Sequence, residues 1–383
     1  MRVLFLSAWY PHRGDGMWGL FVRKHAAAVA AQGAEVYVLY AVAADDVADG
    51  TEYARQVTAG VVEHYAYYKR PSGRAAALAA VCKAYRGLVQ RMEAEGFRPD
   101  VIHANVAGKE AMLAYLLHRR YGCPYVIMEH WSGYLPENGG YKGALRKAMT
   151  QFVIRHSACL MPVSPFLQNA MEHNGLRHRN CNTVFNVVDD FFYNGKRENR
   201  EGSKFRFIHV SCFDNRAKNV YGIVRAAARL WKERQDFELV MAGSGADYVE
   251  TVKLAKEMRL DDCVRFTGEL SPAEVKEWLY RSDAFVLFSN YETCAVVLEE
   301  SMAAGCPVIS TRVGIAVDEV DERTGIIVPF RDEQALAEAM EVMICRRGQY
   351  DSEYIRAKAA KYSYAQVGGA LCQIYMEVTQ EKR

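Results

Sequence analysis

The sequence predicts an α/β protein built from two Rossmann-like, doubly wound domains that face a central cleft. Its 383 residues are too many for one ordinary hydrophobic core, so the length favours two domains. Apolar runs of strand length alternate with segments of helical periodicity along nearly the whole chain, which is typical of parallel sheets covered by helices. Ligands of such proteins bind beyond the carboxyl ends of the strands, so functional residues are expected in strand-to-helix loops facing the cleft.

Composition and charge narrow the class of protein further. The net charge of +2, with 25% charged residues, gives no sign of a nucleic-acid partner. The ten cysteines include no CxxC pair, as expected for reduced thiols in a cytoplasmic protein. The first residues, MRVLFLSAWYPHRGDG, fit a first strand better than a signal peptide. No run of about 18 uninterrupted apolar residues suggests a membrane-spanning helix.

The first half, residues 1–190, is predicted to form the first Rossmann-like domain. Its expected strands are residues 3–7, 35–40, 61–67, 100–104, 124–128, 158–163 and 181–186. Helices are expected between most of them, including one over residues 19–33 that Gly33 closes. Periodicity is lost over residues 186–204, and residues 191–203 are predicted to be the linker.

The second half, residues 204–360, is predicted to form the second Rossmann-like domain. Its expected strands are residues 205–211, 237–243, 263–268, 283–289, 307–311 and 325–330. One helix should begin at Ser271, with Pro272 in its first position and Glu274 completing a capping box. Residues 361–383 are predicted to form a final helix that packs back on the first domain.

The segment YETCAVVLEESMAAGCPVIST, residues 291–311, places three glutamates in an otherwise apolar and small-residue stretch. A strand over residues 283–289 is followed by a turn over residues 290–294, so Glu292 should lie at the strand tip in the cleft. The helix should then run to about Ala304, with Glu300 two turns on. The amides of Cys294, Ala295 and Val296 at its start suit a diphosphate. Glu299 is expected to be solvated or in a salt bridge.

The stretch SNYETCAVVLEESMAAGCPVIST resembles the E-x7-E region of retaining glycosyltransferase family four, with Glu292 and Glu300 in the two glutamate positions. The resemblance extends over most of the chain and includes PDVIHAN, YVIMEHWSGYLP, HVSCFDNRAKNVYG and LVMAGSGAD. It implies the GT-B fold, in which two Rossmann-like domains enclose the catalytic cleft. Residues 1–190 would then form the acceptor-side domain and residues 204–360 the nucleotide-sugar-binding domain.

The resemblance implies a role for each residue of this region. Glu300 would bind the ribose hydroxyls of a nucleotide-sugar donor, which a carboxylate does with two charge-assisted hydrogen bonds. Glu292 would be catalytic beside the donor sugar. Lys218 would bind the diphosphate. A lysine in the first turn of a helix is unfavourable because its charge opposes the macrodipole, so a nearby anion is a reason to place it there.

The same resemblance assigns expectations to several further residues. His130, in MEHWSGY, corresponds to a cleft histidine near the donor sugar and is a second catalytic candidate. Gly19 corresponds to a glycine that lets backbone approach the phosphates or the acceptor. Cys212 stands where many family members have a diphosphate-binding arginine, and Arg216 is the candidate replacement. Asn186 and Ser164 match positions that we expect to be structural.

The implied reaction is transfer of a sugar, with retention, from a UDP- or GDP-type donor to a sugar or lipid-linked sugar acceptor in polysaccharide or glycolipid synthesis. The sequence contains no DxD triplet and no HxxH or HxxxH pair, so we expect no metal and no cofactor. Residues 74–92 have an apolar face with four basic residues. They fit a core-facing helix best, but also a helix lying on the inner face of a membrane.

Three other functions fit parts of the sequence. The stretch GDGMWG, residues 14–19, matches a dinucleotide-binding GxGxxG, but it starts seven residues after the strand and no acidic residue ends the second strand. A sugar-nucleotide epimerase with the same fold would need no acceptor. A non-catalytic sugar-nucleotide-binding or scaffolding protein is the third alternative, and measured sugar transfer would exclude it.

Overall fold

A computed structural model describes residues 1–198 and 202–380 of the chain. Two open sheets of mostly parallel strands are each covered by helices, as the sequence predicts. The predicted linker, residues 191–203, and the predicted last helix, residues 361–383, extend over residues 199–201 and 381–383, which lie outside the described residues. Within the described residues, no helix is both long and apolar enough to cross a membrane.

The first sheet contains seven strands in the order β3-β4-β2-β1-β5-β6-β7. The strands are β1 (Arg2–Ser7), β2 (Glu35–Ala43), β3 (Thr51–Thr58), β4 (Val61–Tyr68), β5 (Val101–Asn105), β6 (Tyr125–Glu129) and β7 (Cys159–Pro162). All neighbours are parallel except β3 and β4. Its helices are α1 (Leu20–Ala31), α2 (Arg74–Ala94), α3 (Lys109–Tyr121), α4 (Ala144–His156) and α5 (Pro165–His173).

The second sheet contains six parallel strands in the order β10-β9-β8-β11-β12-β13. They are β8 (Phe205–Val210), β9 (Phe237–Ala242), β10 (Val264–Gly268), β11 (Ala284–Leu287), β12 (Val308–Thr311) and β13 (Gly325–Val328). Between them lie the helices α6 (Asn215–Lys218), α7 (Val220–Trp231), α8 (Tyr248–Glu257), α9 (Pro272–Tyr280), α10 (Val296–Ala303) and α11 (Ala316–Glu319). The capping box predicted at the start of α9 is present.

Two strands of the first half differ from the prediction. Residues 181–186 form no regular strand. The amides of Asn182 and Val184 donate to β7 carbonyl oxygens, but the pairing amounts to one isolated bridge, between Cys181 and Leu160, before the chain crosses to the second sheet. The edge strand β3 has no counterpart in the prediction. Its sequence TEYARQVT has no apolar run, and most of its side chains are exposed. Its pairing is supplied by the backbone of β4.

The chain ends in three helices, α12 (Glu333–Cys345), α13 (Ser352–Ala359) and α14 (Tyr364–Gln380). The last of them packs against α1 so closely that a β-carbon on Gly368 would lie 2.4 Å from the carbonyl oxygen of Ala28. The Tyr375 hydroxyl also lies 2.6 Å from Nδ1 of the buried His103 on β5. These contacts join the end of the chain to the first sheet, while the residue limits of the domains stay a prediction.

Candidate active site

Two adjoining cavities lie between the sheets, beyond the carboxyl ends of their strands. The larger has a volume of about 780 Å³. Its lining includes Trp9, Phe21, His130, Trp131, Asn186, Ser211, Cys212, Lys218, Glu292, Cys294, Ala295 and Val296. The smaller, about 370 Å³, shares Phe21 and Cys212 with it and has Lys24 and Glu300 in its wall. Most of the predicted site residues therefore meet around one continuous space.

Glu292 and Lys218 form an ion pair in the larger cavity. Glu292 follows β11 and Lys218 follows β8, and because β8 and β11 are neighbours their carboxyl ends lie side by side. The Lys218 Nζ lies 2.5 Å from Glu292 Oε1, and the Ser289 hydroxyl donates to the same oxygen over 2.8 Å. Burial is the strongest influence and disfavours the Lys218 ammonium, but the charge and hydrogen bond of Glu292, together with Cys212 and Asp214, outweigh it, and the pKa of Lys218 lies above its ordinary value.

The local setting of Lys218 differs from the prediction. It is the last residue of the four-residue helix α6 and does not lie in the first turn of a longer helix. Asn219, with a left-handed backbone, then separates α6 from α7. The Asp214 carboxylate caps α6 by accepting the amides of Arg216 and Ala217. The opposed macrodipole therefore gives no reason for the lysine, whereas its pairing with Glu292 does.

Backbone amides at the start of α10 face the larger cavity. Ala295, the residue before the helix, has a left-handed backbone with φ of +75°, which is rare for a residue with a β-carbon. Behind this turn Gly314 packs so closely that a β-carbon would lie 2.4 Å from the Cys294 carbonyl oxygen. Within the described part of the chain, the amides of Cys294, Ala295 and Val296 donate to no protein group. They remain available to an anion.

Glu300 lies on α10 in the wall of the smaller cavity and is only 9% exposed. Lys24 of α1 approaches it from the other sheet, with Nζ 3.7 Å from Glu300 Oε1. The same Nζ lies 2.7 Å from Asp189 Oδ2. Burial raises the pKa of Glu300 to about 7, against the lowering effect of Lys24.

Glu299 is neither solvated nor in a salt bridge, so that expectation is wrong. It is fully buried behind the cavity, and the Cys294 thiol donates to its Oε1 over 3.0 Å. Burial raises the pKa of Glu299 to about 8. Its Oε2 atom has no hydrogen-bond partner among the described residues. The local reason is the first turn of α10, which directs Glu299 inward and Glu300 toward the cleft.

His130 follows β6 and lines the larger cavity. Its ring packs 4.7 Å from that of Phe21, and Nε2 lies 3.1 Å from Asn105 Oδ1. Burial, with His25 and His103 nearby, holds the pKa of His130 well below its ordinary value, so the imidazole is neutral near pH 7.

A buried carboxylate fixes the loop that carries His130. Glu129 accepts the amides of Ala107, His130 and Trp131, each over 2.9 Å, together with the Tyr134 hydroxyl. Four donors on one carboxylate hold the backbone of this loop in place. Glu129 was not predicted, because a single glutamate at a strand end carries no further signal in the sequence.

Gly19 and Arg216, which the sequence predicts to be donor-binding residues, lie outside the lining of both cavities. Gly19 lines neither cavity. Its φ is +69°, and a β-carbon there would lie 2.3 Å from the carbonyl carbon of Trp9, so its small size serves packing of the protein's own backbone. The Arg216 guanidinium is outside the lining and donates to the Asn138 carbonyl oxygen over 2.9 Å. Its part in donor binding stays a prediction.

Lys24 is a second residue that the sequence reasoning missed. In LFVRKHAAAVAA it falls four residues after Leu20 and four before Ala28, on the apolar stripe of α1. A charged residue on a buried stripe needs a partner, and this was a signal in the sequence.

Comparison with known proteins agrees with the two-sheet architecture. Residues 19–186 match the domain family described as glycosyl transferase 4-like, and residues 194–361 match glycosyl transferases group 1. The chain is 29% identical to N-acetyl-alpha-D-glucosaminyl L-malate synthase of Bacillus anthracis over 62% of its length, and spans 64% of that relative. It is 25% identical to the glycogen synthase of Mycobacterium tuberculosis, over 100% of this chain and 96% of that one.

Solved structures share the fold at low sequence identity. Sucrose-phosphate synthase from Thermosynechococcus elongatus superimposes with a TM-score of 0.75 at 17% identity, over 100% of both chains. Anabaena HepE in complex with UDP superimposes with a TM-score of 0.74 at 15% identity, over 98% of this chain and 100% of that one. With both halves matched to glycosyltransferase domains, the chain belongs to the group 1 glycosyl transferases and is a glycosyltransferase of the GT-B fold.

Proposed function

We propose that this enzyme transfers a sugar, with retention at the anomeric carbon, from a UDP- or GDP-type donor to a hydroxyl of a sugar or lipid-linked sugar. One observation carries the proposal: the Lys218–Glu292 pair faces the unpaired amides at the start of α10 across a single cavity. A cation and a row of amide donors suit a diphosphate, and the adjoining space is large enough for a sugar.

In the proposed complex, different parts of the donor occupy the two cavities. The smaller cavity would take the nucleoside, with the ribose hydroxyls donating to Glu300. The diphosphate would lie between Lys218 and the amides of Cys294, Ala295 and Val296. The sugar would then lie between Glu292 and His130, in the larger cavity. Anabaena HepE, which has the same fold, forms a complex with UDP, and this supports a nucleoside diphosphate as part of the donor.

In the proposed reaction the bond between the anomeric carbon and the diphosphate oxygen breaks through an oxocarbenium-like state. Lys218 and the amides before α10 stabilise the negative charge that grows on the departing diphosphate. The acceptor oxygen bonds to the anomeric carbon on the same face, and its proton passes to the departing diphosphate. No glutamate becomes a covalent nucleophile. The neutral His130 is a hydrogen-bonding partner of the sugar and carries no charge.

Helix α2 supports a peripheral contact with a membrane surface. The buried residues of α2 lie between Ala84 and Met92, whereas Arg74, Lys83 and Arg86 are exposed and Leu78 is 62% exposed. An apolar side chain flanked by basic ones suits an anionic lipid surface. Sedimentation with vesicles containing phosphatidylglycerol tests this: wild type should bind them, and Leu78→Glu should not. Equal binding by both would contradict the contact.

A panel of nucleotide sugars tests the main proposal. The correct donor should raise the melting temperature of the purified protein, because a ligand that binds only the folded state stabilises it. Product analysis by NMR should then show the anomeric configuration of the donor. Glu292→Ala should mostly lower turnover, and Glu300→Gln should mostly weaken donor binding. Unchanged kinetics in both variants, or an inverted product, would contradict the proposal.

A further inference from the structure

Lys24 is a buried cation that no part of the proposed reaction uses. It is 8% exposed and lies on α1, the helix that connects β1 and β2 of the first sheet. Its ammonium contacts Asp189, in the segment that crosses between the sheets, and Glu300 on α10 of the second sheet. A buried ammonium is costly unless it is paired, so three separate elements converge here on one charge.

Glu300 is surrounded by charges of both signs. Lys24 faces it from α1, Asp189 faces it from the crossing segment, and Glu299 is its neighbour on α10. Glu269 lines the same small cavity, on the loop after β10. Among the described groups that face Glu300, Lys24 is the cation within ion-pair distance and the others are carboxylates.

Asp189 positions the Lys24 ammonium beside Glu300. The Tyr364 hydroxyl donates to Asp189 Oδ1 over 3.1 Å, while Asp189 Oδ2 accepts from Lys24 over 2.7 Å. Asp189 is therefore held from behind and holds the ammonium at the wall of the cavity. The distance of 3.7 Å to Glu300 leaves the Glu300 oxygens free for other donors.

We propose that Lys24 is a positioning residue for the donor site: from the first domain it favours the ionised form of Glu300, which accepts the ribose hydroxyls. This inference rests on the proposed role of Glu300. An ionised carboxylate accepts two hydrogen bonds from a vicinal diol, whereas a protonated carboxyl uses one oxygen as a donor. Because Lys24 and Glu300 belong to different domains, donor recognition also depends on the arrangement of the two domains in this structure.

The sign of the expected pH effect follows from the charges. Burial raises the pKa of Glu300 to about 7 even with Lys24 in place. Removing the ammonium raises it further, because burial and Asp189 then act unopposed. A variant without Lys24 should therefore bind ribose poorly near pH 7 and recover as the pH rises.

The test compares UDP with 2′-deoxy-UDP, or GDP with 2′-deoxy-GDP, using the base that binds more tightly. The ratio of the two Kd values from calorimetry reports the hydroxyl contact, and is measured from pH 6 to pH 9. For wild type at pH 8 we expect about a tenfold preference for the ribonucleotide, in line with one hydrogen bond to a charged group. The variants are Lys24→Met, Lys24→Arg, Glu300→Gln and the control Arg23→Met.

Arg23 makes the control matched. It is the neighbour of Lys24 on α1, and its Nε lies 2.8 Å from Oε1 of the buried Glu63, away from both cavities. Arg23→Met therefore also removes a cation from a buried carboxylate on the same helix. It should lower the melting temperature but keep the wild-type Kd ratio.

Lys24→Met should lose the preference at pH 7 and regain it toward pH 9, and Lys24→Arg should keep it at pH 7. Recovery at high pH in the same sample would show that the variant is folded. If Glu300→Gln loses the preference at every pH while Lys24→Met matches wild type throughout, Lys24 has no such role and the proposed ribose contact stands. If Glu300→Gln keeps the wild-type ratio, the ribose contact itself fails.

Discussion

Replacing Lys218 by methionine tests the electrostatic basis of the reaction most directly. An ammonium about 4 Å from a unit charge contributes ~4 kcal/mol at the effective dielectric constant of a protein site, about 20. The short contact with Glu292, at 2.5 Å, shows that Lys218 is held toward the cavity in the free protein. Since each 1.36 kcal/mol is a tenfold change in rate, ~10³ is the upper limit of the effect on kcat.

We expect a fall in kcat of ~10², below that limit, because Glu292 shares the ammonium with the departing diphosphate. The donor KM should rise less, since the ground-state diphosphate carries less charge on the bridging oxygen than the leaving group does. Initial rates of nucleoside diphosphate release over a range of donor concentrations measure both quantities.

The control for this variant is Arg225→Met on α7. The Arg225 Nε lies 2.6 Å from Oε1 of Glu333 on α12, outside both cavities, so this variant loses an ion pair but should keep kcat. A folded Lys218→Met enzyme with kcat within about threefold of wild type would refute the assignment of Lys218 to the leaving group.

Three further predictions follow from burial and backbone geometry. The pKa of Glu299 is raised from 4.5 to about 8, so the folded state holds a proton that the unfolded state releases. The stability of the wild type should therefore fall as the pH rises from about 4.5 to 8. Thermal denaturation at pH 5 and pH 8.5 should show this loss for the wild type but not for Glu299→Gln. Gly19→Ala should destabilise by about 2 kcal/mol or more in urea titration, because its β-carbon would collide with the Trp9 backbone at a positive φ. Because the pKa of Glu300 is about 7, the donor KM of the wild type should rise as the pH falls from 8 to 6. Over the same range kcat should stay nearly constant, because His130 does not titrate there. A kcat that follows a group with a pKa near 6.5 would contradict the neutral imidazole.

The parts of the fold that the sequence predicted are those whose cause is local. A buried parallel strand such as β11, AFVL, is a continuous apolar run, and Glu292 and Glu300 fall on one contiguous strand-turn-helix segment. The edge strand β3 could not be predicted this way, because its pairing comes from β4 and its side chains carry no pattern. Lys24 lies 276 residues before Glu300 in the chain, and only the packing of the two domains brings them together.

Glu292 and Glu300, which line the larger and the smaller cavity, are each paired with a lysine from a different element. Glu292 meets Lys218 within the second domain, whereas Glu300 meets Lys24 of the first. A buried carboxylate without a partner is costly to the fold, so each lysine offsets part of that cost in the free protein. In the proposed donor complex the diphosphate would contact Lys218 and the ribose would contact Glu300. The ion pairs that stabilise the empty cleft would then also supply the charges that a nucleotide sugar needs.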